Sequence, residues 1–232
     1  MMPNCNHAEL KKTIHKVRAF WSEGKSFSFL LFILIIYIFV IIPLVDERRI
    51  SKLLFIIFYF LLLTGGVPFL VKNRKTGIVF LLTILPFLIL FSGLLIKSVW
   101  MTVSADLFIV LYCISLGAII LIRTFSTGHV TSNRVQGAVV AYLLAGFIFA
   151  MLYHVIFLMF GQGTFHGLAD FRRTEFMYFS LTTLTTVGYG DITPVNEYAR
   201  SLANLESLVG QLYPAILIAR LVSMEFSTSK EK

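Results

Sequence analysis

Charged residues are scarce in this chain: they make up 14% of its 232 residues, whereas 57% are hydrophobic. Soluble globular domains have about a quarter charged residues and about half apolar ones. The shortage excludes an ordinary soluble domain and indicates an integral membrane protein. Cysteine is also scarce, with Cys5 near the start and Cys113 inside a long apolar run. The two are not expected to pair, and the sequence indicates neither a disulfide nor a metal site.

The sequence also lacks the patterns of an enzyme or a transporter. No paired carboxylates, cluster of metal ligands or nucleophile–base arrangement stands out, so neither enzymatic activity nor a cofactor is expected. No internal repeat of the kind typical of alternating-access transporters is evident. The net charge of +8 is concentrated at the ends of apolar runs, which favours membrane lipids over nucleic acid as a partner.

Six apolar runs are long enough to cross the hydrocarbon core of a bilayer. They occupy residues 27–45, 53–71, 76–96, 104–122, 137–160 and 201–224. The first run is too long for a secretory signal peptide and is expected to be retained as the first span. Lys and Arg are concentrated before the first run, after the second and after the fourth, which predicts a cell-membrane protein with both termini in the cytoplasm. The sequence therefore predicts an all-α integral membrane fold with six transmembrane helices.

The first four runs lack the pattern of a voltage sensor. Such a sensor needs several basic residues in the fourth span, but the run 104–122 has none, and Arg123 stands alone at its inner end. Residues 1–26 are predicted to form a cytoplasmic amphipathic leader. Residues 27–122 are predicted to form a four-helix membrane domain without sensor arginines, and 123–136 a cytoplasmic linker.

Two polar residues lie inside these apolar runs. Asp106, near the outer start of the fourth run, is predicted to be an interfacial helix cap. His154, inside the fifth run, is predicted to be a packed residue that makes hydrogen bonds.

The most informative segment of the chain is Thr186-Val187-Gly188-Tyr189-Gly190. Glycine adopts positive φ without the steric cost of a Cβ. An alternation of left- and right-handed backbone would turn successive carbonyl oxygens to one side, where they can replace the water around a potassium ion. The segment resembles the selectivity filter of potassium channels, in which four such strands surround the ion.

The neighbouring elements extend this resemblance over about the last ninety residues. A long apolar helix, a polar loop, a short helix, the glycine-rich segment and a second long helix follow one another. This order is similar to the pore domain of tetrameric potassium channels, particularly the prokaryotic two-helix type. The resemblance implies a pore domain at 137–226, followed by a short cytoplasmic tail at 227–232. Its outer helix, turret loop, pore helix, filter and inner helix correspond to 137–160, 161–173, 175–185, 186–190 and 201–226.

The resemblance also implies an ion and an assembly. A re-entrant pore helix and filter would lie between the fifth and sixth spans. Potassium would be the permeant ion, bound by the backbone carbonyls of the filter and by the hydroxyl of Thr186. One chain supplies one strand of a closed ring, so a homotetramer is implied.

Further residues are implied to support the filter. Asp191 would lie at its outer mouth and pair with the pore helix, by register with Tyr178, next to Phe179. Tyr178 stands where voltage-gated relatives often carry tryptophan, and Thr182 where some bacterial members carry a glutamate. Both departures predict an altered tendency to inactivate, in a direction that stays open. The side chains of Val187 and Tyr189 are expected to turn away from the axis and pack against the pore helix.

The inner helix has a predicted bend and a predicted cavity face. Gly210 is either the hinge glycine of the resembling channels or a small residue for close helix packing, and Pro214 predicts a kink. Glu206 either reaches the cavity or makes hydrogen bonds behind the filter, and the helical periodicity favours the second. The residues predicted to line the cavity share one helical face: Gln211, Pro214, Ala215, Ile218 and Val222.

The function expected from the resemblance is passive, potassium-selective conduction without steep voltage gating. One alternative is a cation channel that discriminates poorly, against which Tyr189 argues, because non-selective relatives commonly change that position. Another alternative is a non-conducting, channel-like regulatory subunit, against which the intact filter argues.

Overall fold

A computed structural model of the chain describes residues 25–46, 98–125, 131–168 and 172–229. This part is mostly helical, and four of its helices are long and apolar enough to cross a membrane. These candidate spans are Phe27–Leu44, Val99–Thr124, Ser132–Phe160 and Glu197–Met224. The predicted spans 53–71 and 76–96 lie outside the described residues, as does almost all of the predicted leader. The count of six therefore stays a prediction.

The first span is interrupted by a wider turn next to a proline. Helix α1 (Lys25–Ile36) is followed by a π-turn at Tyr37–Ile41 and then by α2 (Ile42–Asp46). Proline has no backbone N–H, and its ring would clash with a carbonyl one turn earlier in a regular helix. Pro43 is the second residue after the π-turn, and the N–H of Ile42 just before it donates to the carbonyl of Tyr37, five residues earlier.

The remaining long helices extend beyond the apolar runs that predicted them. They are α3 (Val99–Thr124), α4 (Ser132–Phe160) and α6 (Glu197–Ser229). The short helix α5 (Arg173–Leu184) begins two residues before the predicted pore helix 175–185 and ends one residue before its predicted end. Polar residues at a helix end continue its backbone hydrogen bonds outside the hydrocarbon core, where a search for apolar runs does not detect them. Parts of the predicted linker 123–136 and of the predicted tail 227–232 are therefore helical.

Helix α4 is at the centre of the described fold, because it packs against α1, α3, α5 and α6. Its residues contribute to two apolar clusters. The larger cluster fills the space between α1, α3 and α4, where Tyr37 meets Phe147 edge to face at 5.8 Å between ring centroids. The smaller cluster is largely aromatic and lies between α4, α5 and the loops around α5.

Two short strands depart from the predicted all-α fold. Strand β1 (Phe165–His166) pairs antiparallel with β2 (Thr193–Pro194). The pairing joins the loop before α5 to the loop after the glycine-rich segment, which we define as residues 186–190. Hydropathy and helical periodicity do not detect a ladder of two residues.

The prediction that Asp106 is an interfacial cap is wrong. The helix begins at Val99 rather than at 104, so Asp106 lies in its interior, where it is fully buried. Its Oδ2 lies 2.7 Å from Nδ1 of His154 on α4, and its Oδ1 accepts a 3.0 Å hydrogen bond from Arg173 at the start of α5. The prediction for His154 is confirmed, and the carboxylate joins three helices.

We expect Asp106→Asn to destabilise the protein by about 3 kcal/mol, because it removes the buried carboxylate that compensates Arg173. Thermal unfolding of the purified protein in detergent measures the change. Ser115→Ala in the same helix is the matched control, since that hydroxyl bonds the Leu111 carbonyl one turn earlier and no other residue that the structure describes. Equal unfolding temperatures for the two variants would contradict a stabilising role for Asp106.

Candidate functional site

The glycine-rich segment begins where α5 ends, and its first N–H groups turn back toward that helix. The N–H of Thr186 donates to the carbonyl of Thr183 at 3.0 Å. The N–H groups of Val187 and Gly188 both donate to the carbonyl of Thr182, at 2.9 and 3.1 Å. These bonds satisfy carbonyls that a helix end leaves free, and they attach the segment to the C-terminal end of α5.

The backbone of the segment alternates in hand. Thr186, Gly188 and Gly190 have φ values of 60°, 53° and 79°, whereas Val187 and Tyr189 do not have positive φ. Thr186 is the single non-glycine residue with positive φ in the described ranges. A threonine there costs about 1–3 kcal/mol and persists where the surroundings impose it. The two glycines avoid the same cost, which explains their spacing.

The carbonyl oxygens of the segment accept no hydrogen bond from any residue that the structure describes. All five residues are exposed in the single chain. Backbone carbonyls are strong acceptors and need a partner, which is a protein donor, water or a cation. A row of such oxygens on alternating backbone is chemically suited to bind a cation that has lost its water.

The side chains of the segment are only partly packed against α5 within one chain. The ring of Tyr189 stacks on that of Tyr178 at 6.2 Å between centroids, with 4° between the planes. Tyr189 is nevertheless 71% exposed, and Val187 is 53% exposed. The expected packing of both side chains against the pore helix is therefore incomplete in the single chain.

Asp191 is held in place by two hydrogen bonds. The predicted bond from the Tyr178 hydroxyl is present, at 2.8 Å from Oδ2, and the N–H of Ile192 donates to Oδ1 at 3.0 Å. The bond to this carboxylate raises the pKa of Tyr178 above its usual value. Thr182 makes no bond to Asp191 and donates instead to the Phe179 carbonyl in its own helix. Tyr178 thus braces Asp191 without help from Thr182.

Phe179 belongs to the aromatic cluster beside the segment. Its side chain is almost fully buried and meets Tyr153 of α4 edge to face, at 4.9 Å between ring centroids. It also contacts Phe165 of β1 at 5.4 Å. Phe179 therefore packs into the core, whereas Tyr178, one residue earlier, faces the segment.

The loop before α5 provides a brace that the sequence did not reveal. Gly167 has φ +86°, and a Cβ on it would lie 1.8 Å from the Asp191 carbonyl oxygen. The N–H groups of Val195 and Asn196 both donate to the Thr164 carbonyl, at 2.9 and 3.2 Å. The loop thus contacts Asp191, the residue directly after the segment, and makes hydrogen bonds to residues 195 and 196 that follow. The glycine at 167 was the only local signal for this contact.

Gly210 is a site of close backbone contact. A Cβ on it would lie 1.9 Å from the carbonyl oxygen of Leu184, the last residue of α5. The same oxygen accepts a 3.0 Å hydrogen bond from the Tyr142 hydroxyl of α4. Helix α6 is continuous through Gly210 and Pro214. Gly210 thus lies at a close packing contact, and a hinge or bend at Gly210 and Pro214 stays a prediction.

Glu206, one turn before Gly210, is fully buried between three helices. Its Oε2 lies 2.6 Å from the Tyr153 hydroxyl of α4, and its Oε1 lies 2.5 Å from the Ser180 hydroxyl of α5. Of the two alternatives for Glu206, the structure has the hydrogen-bonded one. The sequence position alone gave no indication that Ser180 and Tyr153 would be its partners.

The predicted cavity face is largely uncovered in the single chain. Gln211, Ala215, Ile218 and Val222 are exposed and Pro214 is partly buried. Only 11% of the apolar window of α6 is buried, against 39–50% for the other candidate spans. Within one chain, α6 therefore has fewer contacts that cover its apolar surface than the other three candidate spans have.

Comparison with known proteins supports an ion channel family. Residues 137–227 match the family model described as an ion channel. The chain is similar to Protein LctB from Bacillus caldotenax and Protein LctB from Geobacillus stearothermophilus, with 46% identity over 46 residues in each case. The match covers 20% of this chain and 34% of each relative, so the chain spans about a third of the length of the relatives it matches. No solved structure matches the chain significantly.

We expect Gly210→Ala to destabilise the protein by about 1–3 kcal/mol, because the added methyl group would meet the backbone of α5, which cannot rotate away. Gly117→Ala is the matched control, since nothing lies within 4 Å of that added Cβ in α3. The control should be neutral or up to about 1 kcal/mol more stable, because alanine is the better helix former. Thermal unfolding in detergent compares them, and a Gly210→Ala protein as stable as the control would rule out the close contact.

Proposed function

We propose that the chain is one subunit of a potassium-selective channel that conducts K⁺ passively across the cell membrane. The observation that carries the proposal is the alternating backbone of residues 186–190 with its unpaired, exposed carbonyl oxygens. These oxygens and the Thr186 hydroxyl would replace the hydration shell of the ion. In this proposal α5 is a re-entrant pore helix, and both termini lie in the cytoplasm.

The charges around the segment support a cation as the ligand. The C-terminal end of α5 carries the negative end of its macrodipole and leads directly into the segment. Asp191 follows the segment and is exposed, so its carboxylate would raise the local concentration of cations. No group of His, Cys, Asp or Glu suited to a tightly bound metal ion occurs in the described ranges. The backbone oxygens are the natural ligands here.

The uncovered surfaces support a homotetramer. A single strand of carbonyls cannot surround an ion, whereas four strands related by a fourfold axis can. The exposed side chains of Val187 and Tyr189 and the uncovered apolar face of α6 would be covered by neighbouring copies. Residues Gln211 and Ile218 would then face a central cavity.

The braces around the segment favour potassium selectivity over poor discrimination. Tyr189 stacks on Tyr178, which in turn holds Asp191. These contacts would keep the rings of oxygen at a fixed spacing, which suits one size of ion. Steep voltage gating is not part of the proposal, because α3 has a single basic residue, Arg123, close to its end.

Purified protein in liposomes tests the function. We expect K⁺ flux and a reversal potential that follows the potassium gradient when sodium replaces potassium on one side. Equal permeability to both ions would instead identify a poorly selective cation channel. An absence of flux from a folded, membrane-inserted protein would identify a non-conducting subunit.

We expect Gly188→Ala to reduce K⁺ flux more than tenfold. Left-handed backbone costs a residue with a Cβ about 1 kcal/mol or more, and four substituted residues would share one ring of the filter. A tenfold reduction in flux corresponds to about 1.4 kcal/mol, which is less than the cost of four such residues. Gly163→Ala is the matched control, since it has no left-handed backbone and no atom within 4 Å of the added Cβ. Equal flux through both variants would refute the role of the alternating backbone.

A further inference from the structure

Three helices meet at a chain of five oxygen atoms, contributed by four groups, beside the proposed filter. The Tyr153 hydroxyl lies 2.6 Å from Oε2 of Glu206, and Oε1 of Glu206 lies 2.5 Å from the Ser180 hydroxyl. The Ser180 hydroxyl also lies 2.7 Å from the carbonyl oxygen of Gly146. These contacts join α4, α5 and α6 at one buried level.

The number of protons in this chain of contacts identifies the state of Glu206. Each contact of 2.5–2.7 Å between oxygens requires a shared proton, because two bare oxygens so close repel each other. Tyr153 and Ser180 have one hydroxyl proton each, and the Gly146 carbonyl has none. Three contacts therefore require a third proton, which only the Glu206 carboxyl group can supply.

The surroundings of Glu206 agree with this count. The side chain is fully buried, and an isolated carboxylate in an apolar interior is very costly. No salt bridge to Glu206 occurs among the described residues. The titratable groups that face it are the phenols of Tyr153 and Tyr142, both on α4. Helix α5 faces it with the Ser180 hydroxyl, and α6 contributes no other charged group to the contact.

We propose that Glu206 is a positioning residue that carries a proton, which it donates to Ser180 so that Ser180 can donate to the Gly146 carbonyl. The proton completes the attachment of α5 to both long helices. Its effect on conduction rests on the function proposed above. Glu206 does not touch the segment that would bind the ion, and it acts through the position of α5.

Loss of this proton would break the junction. The Ser180 hydroxyl could then donate either to Glu206 or to the Gly146 carbonyl, but not to both. One contact would open, and α5 would lose the hydrogen bond of Ser180 to α4 or the one to α6. Because Gly210 rests on the last carbonyl of α5 one turn away, a shift at Glu206 reaches the start of the filter. Conduction is therefore expected to decline as the pH rises.

Infrared difference spectroscopy tests the proton directly, without any need for conduction. The spectrum of the wild type at pH 7 minus that of Glu206→Gln should show the C=O stretch of a protonated carboxylic acid, which disappears in strongly alkaline buffer. A carboxylate band in its place would overturn the proposal. This outcome is distinct from failure of the proposed function, which would appear as absent flux with the acid band still present.

Potassium flux tests the positioning role. Glu206→Ala and Ser180→Ala should each reduce the K⁺ flux at pH 7 more than tenfold relative to the wild type. Glu206→Gln should conduct K⁺ like the wild type at pH 7, because its side-chain N–H can donate to Ser180 and its carbonyl can accept from Tyr153. Its flux should not decrease as the pH rises. Glu197→Gln, the same change at an exposed position of α6, should keep the wild-type pH profile. A Glu206→Gln protein as impaired as Glu206→Ala, or with an unchanged alkaline decline, would overturn the proposal.

Discussion

The contact between the last carbonyl of α5 and the backbone of α6 is the constraint on which the rest of the site depends. The Leu184 oxygen accepts from Tyr142 and touches Gly210. The carbonyls of the two preceding residues, Thr182 and Thr183, accept the N–H groups of residues 186–188. Those N–H groups turn toward α5, and the carbonyl oxygens of residues 186–190 accept no hydrogen bond from the described residues. The exposed row of oxygens thus follows from how the preceding helix ends.

Tyrosine hydroxyls hold α6 against α4 at two levels. Near the N-terminal end of α4, Tyr213 donates to the Ala138 carbonyl at 2.8 Å and stacks on Tyr142. Further along α4, the Tyr153 hydroxyl meets Glu206. Helices surrounded by lipid gain little from the hydrophobic effect on association, so hydrogen bonds and close packing of small residues join them. The aromatic rings fill space while their hydroxyls supply the specific bonds, which explains why the junction is built from tyrosine.

The sequence predicted the features that depend on neighbours in the chain. The glycine spacing at 188 and 190 predicted alternating backbone. The resemblance to potassium channels implied that Asp191 pairs with the short helix, and the register of that helix selected Tyr178 as the partner. The sequence did not predict contacts between distant helices. Asp106 and Arg173 are 67 positions apart, and their meeting depends on how α3, α4 and α5 pack, which hydropathy does not specify. Helix ends were also misplaced, and that error alone made Asp106 look like a cap.

Helix α5 is a rigid element whose two ends contact different helices. Its first residue, Arg173, is tied to α3 through Asp106, and its last, Leu184, rests on α6. A helix of 12 residues is about 18 Å long and does not stretch without breaking its backbone bonds. Any sliding of α3 relative to α6 must therefore tilt α5. A tilt would change the direction of the helix dipole and the position of the first oxygen of the segment together, so a movement of α3 would act on the segment through α5 alone.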